Sequence, residues 1–227
     1  MEEILAAVTD HDADHRVDGF ATAVAKLTNA QVRHLELGVP ESRKQAIARV
    51  LHETAAPEVV LTVLSRDVPT PPIWPGVIPQ VSKPVILVPY TGLPLTLSRA
   101  LVPLDGTPES TGAVAGVMDL FARAGLDLVV LHVFNAATAP RFWDQAAHAR
   151  REWEEEFMAR YCSAPGARLT LRSGAPDEQV VDVATEEHAD LITLGWSQRL
   201  ASGRAQTVRR TIADSLVPVM LVPLGSA

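Results

Sequence analysis

Lys83-Pro84-Val85-Ile86-Leu87-Val88-Pro89 returns 134 residues later as Val217-Pro218-Val219-Met220-Leu221-Val222-Pro223. A repeat at that distance points to duplication of a whole domain rather than to an array of short units. Each copy is an apolar run held between prolines. A strand with one face in water alternates apolar and polar residues, so an unbroken run reads as a strand buried on both faces, and proline is tolerated only at its ends. The two copies mark equivalent sheet-central strands, one in each half of the chain.

Upstream of the second copy, strand-like runs alternate with helical patterns. Arg99 to Leu104 is a strand, and Thr107 with Pro108 opens a helix whose apolar face is Val114, Val117, Met118 and Phe121, stopped at Gly125. Leu128 to Phe134 is the next strand. Phe142, Ala146, Ala149, Trp153 and Phe157 trace a helix that turns Glu152, Glu154 and Glu155 outward, with Trp153 expected in the core. Ala167 to Leu171, then Asp190 to Leu194 followed by Gly195, are two more strands, separated by a helix over Asp177 to His188. A loop to about Arg204 and a helix to Ser215 lead into Val217 to Pro223. This alternation predicts a parallel sheet covered on both faces by crossover helices.

The half that ends in the first copy repeats the pattern in shorter form. Glu3 to Val8, followed by Thr9 and Asp10, matches Arg99 to Asp105, and Val17, Phe20, Ala21, Val24 and Leu27 face the next helix inward. Strands are expected over Val32 to Leu37, Glu58 to Leu64 and Val85 to Val88, with a helix over Ser42 to Ala55. Only 73 residues separate Asp10 from Pro84, against 112 between Asp105 and Pro218, so about one strand-helix unit is missing. Five prolines within Val68 to Pro79 prevent the helix that the other half has at this place, and with it the site that such a helix would build. The 227 residues, 47% of them hydrophobic, are expected to form two small cores: 1–90, a linker 91–98 with Gly92 and Pro94, and 99–227.

A net charge of −7 argues against nucleic acid or anionic membrane as partner. Cys162 stands alone, so there is no internal disulfide. With no secretory leader and no apolar span of roughly 20 residues, the expectation is a soluble cytoplasmic protein.

Ala100-Leu101-Val102-Pro103-Leu104-Asp105, Leu131-His132-Val133, Gly174-Ala175-Pro176, Ala189 to Gly195 and Val217 to Val222 together resemble the universal stress protein family, and the resemblance runs along nearly the whole chain as a tandem pair. It implies two open parallel-sheet α/β sandwich domains, akin to the adenine nucleotide alpha hydrolase fold, the first shortened. It also implies pairing through the last strand, between copies or within one chain.

Nucleotide-binding members place ATP at the strand ends, with an Asp after the first strand, a backbone contact near the end of the second, and a G-x2-G-x9-G-[S/T] loop around the phosphates. Glycine there lets backbone N–H groups approach phosphate oxygens. Carried onto this chain, the candidate cofactor-binding residues are Pro103, Asp105, Val133, Gly195, Gly203 and Arg204, for ATP or AMP. The loop departs from the pattern: Gln198 stands at the second glycine and Ala205-Gln206 near the last step. Arg204, with Arg209 and Arg210, offers cations for a phosphate, or these arginines are solvated surface charges.

Other clusters have plainer readings. His11-Asp12-Ala13-Asp14-His15 suits either a divalent metal or helix capping at a strand-to-helix turn. His132 reads as a hydrogen-bonded structural histidine, Glu186-Glu187-His188 as helix surface, and Cys162 as no nucleophile. No serine elbow, zinc signature or Walker loop is present. The expected function is non-enzymatic, in stress adaptation or signalling, with an adenine nucleotide in the second half. The alternatives are a ligand-free interaction module and, least supported, slow ATP hydrolysis.

Overall fold

The structure, a computed structural model, describes residues 1–9, 14–38, 41–90, 97–134, 147–162, 164–196 and 204–224. The first half runs β1 (Glu3–Thr9), α1 (Asp14–Thr28), β2 (Gln31–Leu37), α2 (Arg43–Ala55), β3 (Val59–Ser65), α3 (Trp74–Val77), a 3-10 turn (Ile78–Gln80) and β4 (Val85–Val88). The second runs β5 (Arg99–Pro103), α4 (Pro108–Arg123), β6 (Asp127–Phe134), α5 (Ala147–Tyr161), β7 (Arg168–Ser173), α6 (Pro176–Glu186), β8 (Leu191–Trp196), α7 (Arg204–Asp214) and β9 (Val219–Pro223).

Local chemistry sets the helix ends. The Thr107 side chain accepts from Ser110 N and Pro108 occupies the first position of α4, while Ser42 and Gln45 form a reciprocal capping box on α2. Gly125, at φ +81°, lets the chain turn away after α4 where a side chain would be strained.

Among the described residues, nine strands form one sheet in the order β2-β1-β3-β4-β9-β8-β5-β6-β7. Within each half every pairing is parallel, and the halves meet where β4 lies antiparallel to β9, with Val85 opposite Leu221, Ile86 opposite Met220 and Leu87 opposite Val219. The two copies of the repeated phrase are thus partners. Each is an edge strand of its own half and becomes sheet-central only through the other. Among the described residues, the shortened half has no counterparts of α5 and β7. Where the second half has α7, eleven residues long, the proline-rich stretch manages the four residues of α3 and one 3-10 turn.

The core divides by sheet face rather than by half. Leu5, Val50, Leu87, Val180, Ile212 and Leu221 belong to one buried cluster, and Ile4, Phe20, Ile86, Phe121, Leu128 and Met220 to the other. Both clusters cross the β4–β9 seam. The expected pair of small cores, one per half, is replaced by two layers shared between halves, because alternate side chains of β4 and β9 feed both layers from both sides.

The expected linker falls mostly on residues 91–96, outside the described residues, as do Asp10, His11, Asp12, Ala13, Phe142, Ala146, Gln198 and Gly203.

Candidate functional site

Four of the six candidate residues line one cavity. Pro103 closes β5, Asp105 follows it, Val133 lies near the end of β6 and Gly195 lies near the end of β8. With Leu104, Leu131, Pro176, Asp177, Leu194 and Gln206 among their neighbours, they surround a volume of ≈ 420 Å³. That size falls within the range of small-molecule sites, and the position, outside the C-terminal ends of parallel strands, is where open α/β sheets bind ligands. Gly203 is outside the described residues, and Arg204 is the first residue of α7.

Asp105 is positioned from α4. Its Oδ1 accepts from Thr107 N (3.1 Å), Thr107 Oγ1 (2.7 Å) and Ser110 Oγ. Gly195 brings β8 close to the same helix end: a Cβ there would meet the Ser110 carbonyl oxygen at 3.4 Å. Apolar walls from Leu104, Leu131, Val180 and Leu194 back the cavity.

One cavity residue did not stand out in the sequence. Asp177 is 6% exposed and sits in the first turn of α6, where it accepts from Gln206 Nε2 (3.0 Å) and Arg210 Nη1 (3.3 Å). Burial pushes its pKa up, but the bonds from Gln206 and Arg210 outweigh this and hold the carboxyl below its ordinary value. Arg210 also donates to Glu178 (3.2 Å) and Asp214 (3.3 Å). Three carboxylates thus hold Arg210, which the sequence offers either as a cation near phosphate or as a solvated surface charge. The Asp177 signal in the sequence was indistinguishable from routine acidic capping of a helix start.

The strand ladders give the equivalent positions in the other half. Leu5 and Leu101 pair with Thr62 and Ile192, and these in turn pair with Val85 and Val219, the matched residues of the repeat. Counting along the strands, Thr9 stands for Asp105, Leu37 for Val133 and Ser65 for Gly195. Asp10 therefore lies one residue past the place expected of it. A cavity of ≈ 600 Å³ does persist there, lined by Thr9, Leu37, Arg43, Val68 and Pro69 among others. Its chemistry is different. The acid has become a threonine, and Ser65 Oγ accepts from Asp67 N and Val68 N to close the proline-rich turn.

His132 has the structural role expected of it. Its Nδ1–H donates to Leu104 O (2.8 Å), and the ring packs against Phe134 and Phe157 at 4.7 Å. Trp153 is half-buried rather than core, on the wall of a second cavity of ≈ 530 Å³ shared with His132 and Phe157. Burial lowers the His132 pKa from its ordinary 6.5, against the opposing pull of the Leu104 carbonyl and Asp105. The unfolded chain takes up this proton as pH falls through 6.5 while the native ring stays neutral, so stability is present above 6.5 and is lost below it, down to the lower native pKa. Melting temperature between about pH 7 and about pH 5.5 is expected to fall more steeply for the native sequence than for His132→Gln; parallel slopes would refute this.

Glu186, Glu187 and Cys162 have structural surroundings. Glu186 and Glu187 pair with Arg172 (2.6 Å) and Arg168 (2.8 Å) beside β7. Burial raises the Cys162 pKa, which disfavours the thiolate. Among the described residues no group of three or more metal-ligating side chains occurs, and no helix is long and apolar enough to cross a membrane. His15 lies in α1, while His11 to Ala13 fall outside the description.

Comparison with curated proteins gives no match. Among solved structures the chain is similar to a protein from Pseudomonas aeruginosa UCBPP-PA14 assigned provisionally to the universal stress proteins, at 17% identity over 98% of this chain and 93% of that one, with a TM-score of 0.64. It is similar too to a universal stress protein from Archaeoglobus fulgidus DSM 4304, at 16% identity over 100% and 87%, with a TM-score of 0.62. A universal stress protein from Archaeoglobus fulgidus in complex with dAMP matches at 15% identity over 57% of this chain and 99% of that one, with a TM-score of 0.40. The first two show a fold shared along nearly the whole chain. The universal stress protein family itself matches residues 96–223, more than half of the sequence. The chain belongs to the universal stress protein family.

Proposed function

We propose that this protein is a non-enzymatic, cytoplasmic member of its family acting in stress adaptation or signalling, and that its second half holds an adenine nucleotide, ATP or AMP. One observation carries the reading: Pro103, Asp105, Val133 and Gly195, from three separate strands, converge on one cavity. Their counterparts across the seam have lost the acid and the glycine. A planar base suits the apolar walls, and Asp105, oriented by Thr107 and Ser110, presents a fixed acceptor to the N–H and O–H groups of a nucleoside.

Isothermal titration with AMP and ATP tests this, together with a search for nucleotide released on denaturation. Gly195→Leu fills the space between β8 and α4, and both it and Asp105→Ala are expected to weaken binding about tenfold or more. Saturable heat that these variants leave unchanged would place the ligand elsewhere. Absence of heat with the native sequence would favour the ligand-free interaction module, a reading supported by the engagement of Arg210 with carboxylates. ATP is expected to stay intact over long incubation with magnesium.

A further inference from the structure

We infer that the cavity between β6 and α5 is a second binding site, for a free aromatic amino acid whose ring carries an N–H or O–H donor, tryptophan or tyrosine. The proposed nucleotide belongs to the neighbouring cavity, and this site is additional to it. Asp105, Val133 and Pro176 line both cavities at the strand ends. Behind them the two diverge: Val133 packs with the core layer of α6 and α7, whereas its neighbour His132 meets Trp153 and Phe157 of the opposite layer.

The walls come from one helical stripe. Trp153, Phe157 and Tyr161 stand four residues apart on α5, with ring centroids 5.0 and 4.9 Å from each to the next. Phe157 is buried but Trp153 and Tyr161 are only half-buried, and all three line the volume of ≈ 530 Å³ together with His132. Partly open aromatic rings around a cavity of this size favour a further planar ring, set edge-on or offset.

His132 adds a specific polar contact. Its Nδ1–H is taken by Leu104 O, so the neutral ring offers Nε2 as an acceptor, and no described residue donates to it. The residue is 8% exposed, and the burial that lowers its pKa keeps the ring in this neutral form. A ligand N–H or O–H would satisfy an acceptor that otherwise costs free energy to bury. Gly106 leaves room beside it: a Cβ there would lie 3.5 Å from His132 Cε1 and 3.6 Å from Phe157 Cε2.

The exposed rim carries both charges of an amino-acid head. Glu156 and Arg160 also line the cavity and stand four residues apart on α5, where such a pair ordinarily closes on itself. Instead the Arg160 guanidinium carbon lies over the Tyr161 ring, 5.4 Å from its centroid, and neither charge has an ion-pair partner among the described residues. An ammonium group suits Glu156 and a carboxylate suits Arg160.

The test is calorimetric titration of the full chain with L-tryptophan, L-tyrosine and L-phenylalanine, and with tryptamine and indole-3-propionate, each of which lacks one charged group. Phenylalanine is expected to bind about tenfold more weakly than tyrosine, because it leaves His132 Nε2 unpaired. Tryptamine and indole-3-propionate are each expected to bind about tenfold more weakly than tryptophan. Arg160→Gln should bring tryptophan to within about threefold of tryptamine, and Glu156→Gln should do the same for tryptophan and indole-3-propionate. Both substitutions are on the exposed side of α5, so the fold is expected to survive them. His132→Phe keeps a ring in place without the acceptor, and should bring tyrosine to within about threefold of phenylalanine. The inference is overturned if neither tryptophan nor tyrosine gives saturable heat up to about 5 mM. It is overturned equally if phenylalanine matches tyrosine, or if the head-group preferences survive the Glu156 and Arg160 substitutions. AMP is titrated separately, so either site can fail while the other stands.

Discussion

Ile86→Ala is expected to destabilise the whole chain by about 2–5 kcal/mol, and to do so as seen from either half. Ile86 is fully buried, opposite Met220 across the only antiparallel pairing in the described sheet, and its side chain lies in a cluster with Phe20 of α1 and Phe121 of α4. Truncation removes apolar burial and leaves a cavity at the place where the halves share their core. Because both core layers cross this seam, neither half is closed without the other. Urea unfolding followed by Trp74 in one variant and by Trp196 in another should give coincident transitions, both moved by Ile86→Ala and equally by Val219→Ala. Two separate transitions, with only that of Trp74 displaced by Ile86→Ala, would refute a shared core.

Arg66→Ala is expected to cost about 2–3 kcal/mol. Arg66 follows β3, and its guanidinium is mostly buried against the end of α7, where Nη1 donates to Ile212 O (2.9 Å) and Ser215 O (2.7 Å). Ile212 O belongs to the last turn of α7 and Ser215 O lies just past its end, where the helix has no further N–H groups of its own to offer and its dipole favours a cation. Arg66 O accepts in turn from the Trp74 indole N–H (2.8 Å), so one residue links β3, the proline-rich segment and the other half. Arg66→Lys should recover only part of the loss, since an ammonium keeps the charge but not the planar fork. Urea midpoints of the two variants check the order; equal stability of Arg66→Ala and the native chain would show the contact to be idle.

What the sequence reveals follows from whether the cause is local. The proline-bracketed runs, the Thr107-Pro108 helix start and the alternation of elements are each settled within a few residues, and the fold is legible from them. Asp105, Val133 and Gly195 are legible because they stand at strand ends whose order the resemblance supplies. Asp177 is not: its role depends on Gln206 and Arg210, a helix away, and its local signature is that of any capping acid. The same holds for Thr9, whose equivalence to Asp105 is a matter of ladder register and is hidden by the aspartate that follows it. Trp153 illustrates a third kind of miss. Helical spacing gives its face correctly, but only the packed neighbours show that this face lies beside an opening.

The antiparallel seam has a further consequence. When two copies of one chain pair through a self-complementary strand, every substitution occurs twice, and any change that suits one site is imposed on its twin. Here the partner strands belong to one sequence, and each position across the pseudo-twofold changes alone. Ser65 can tie a turn while Gly195 leaves room, and Thr9 can be neutral while Asp105 is charged. Joining the pair end to end freed it from symmetry, so that one flank keeps an acid-and-glycine cavity and the other varies without disturbing it.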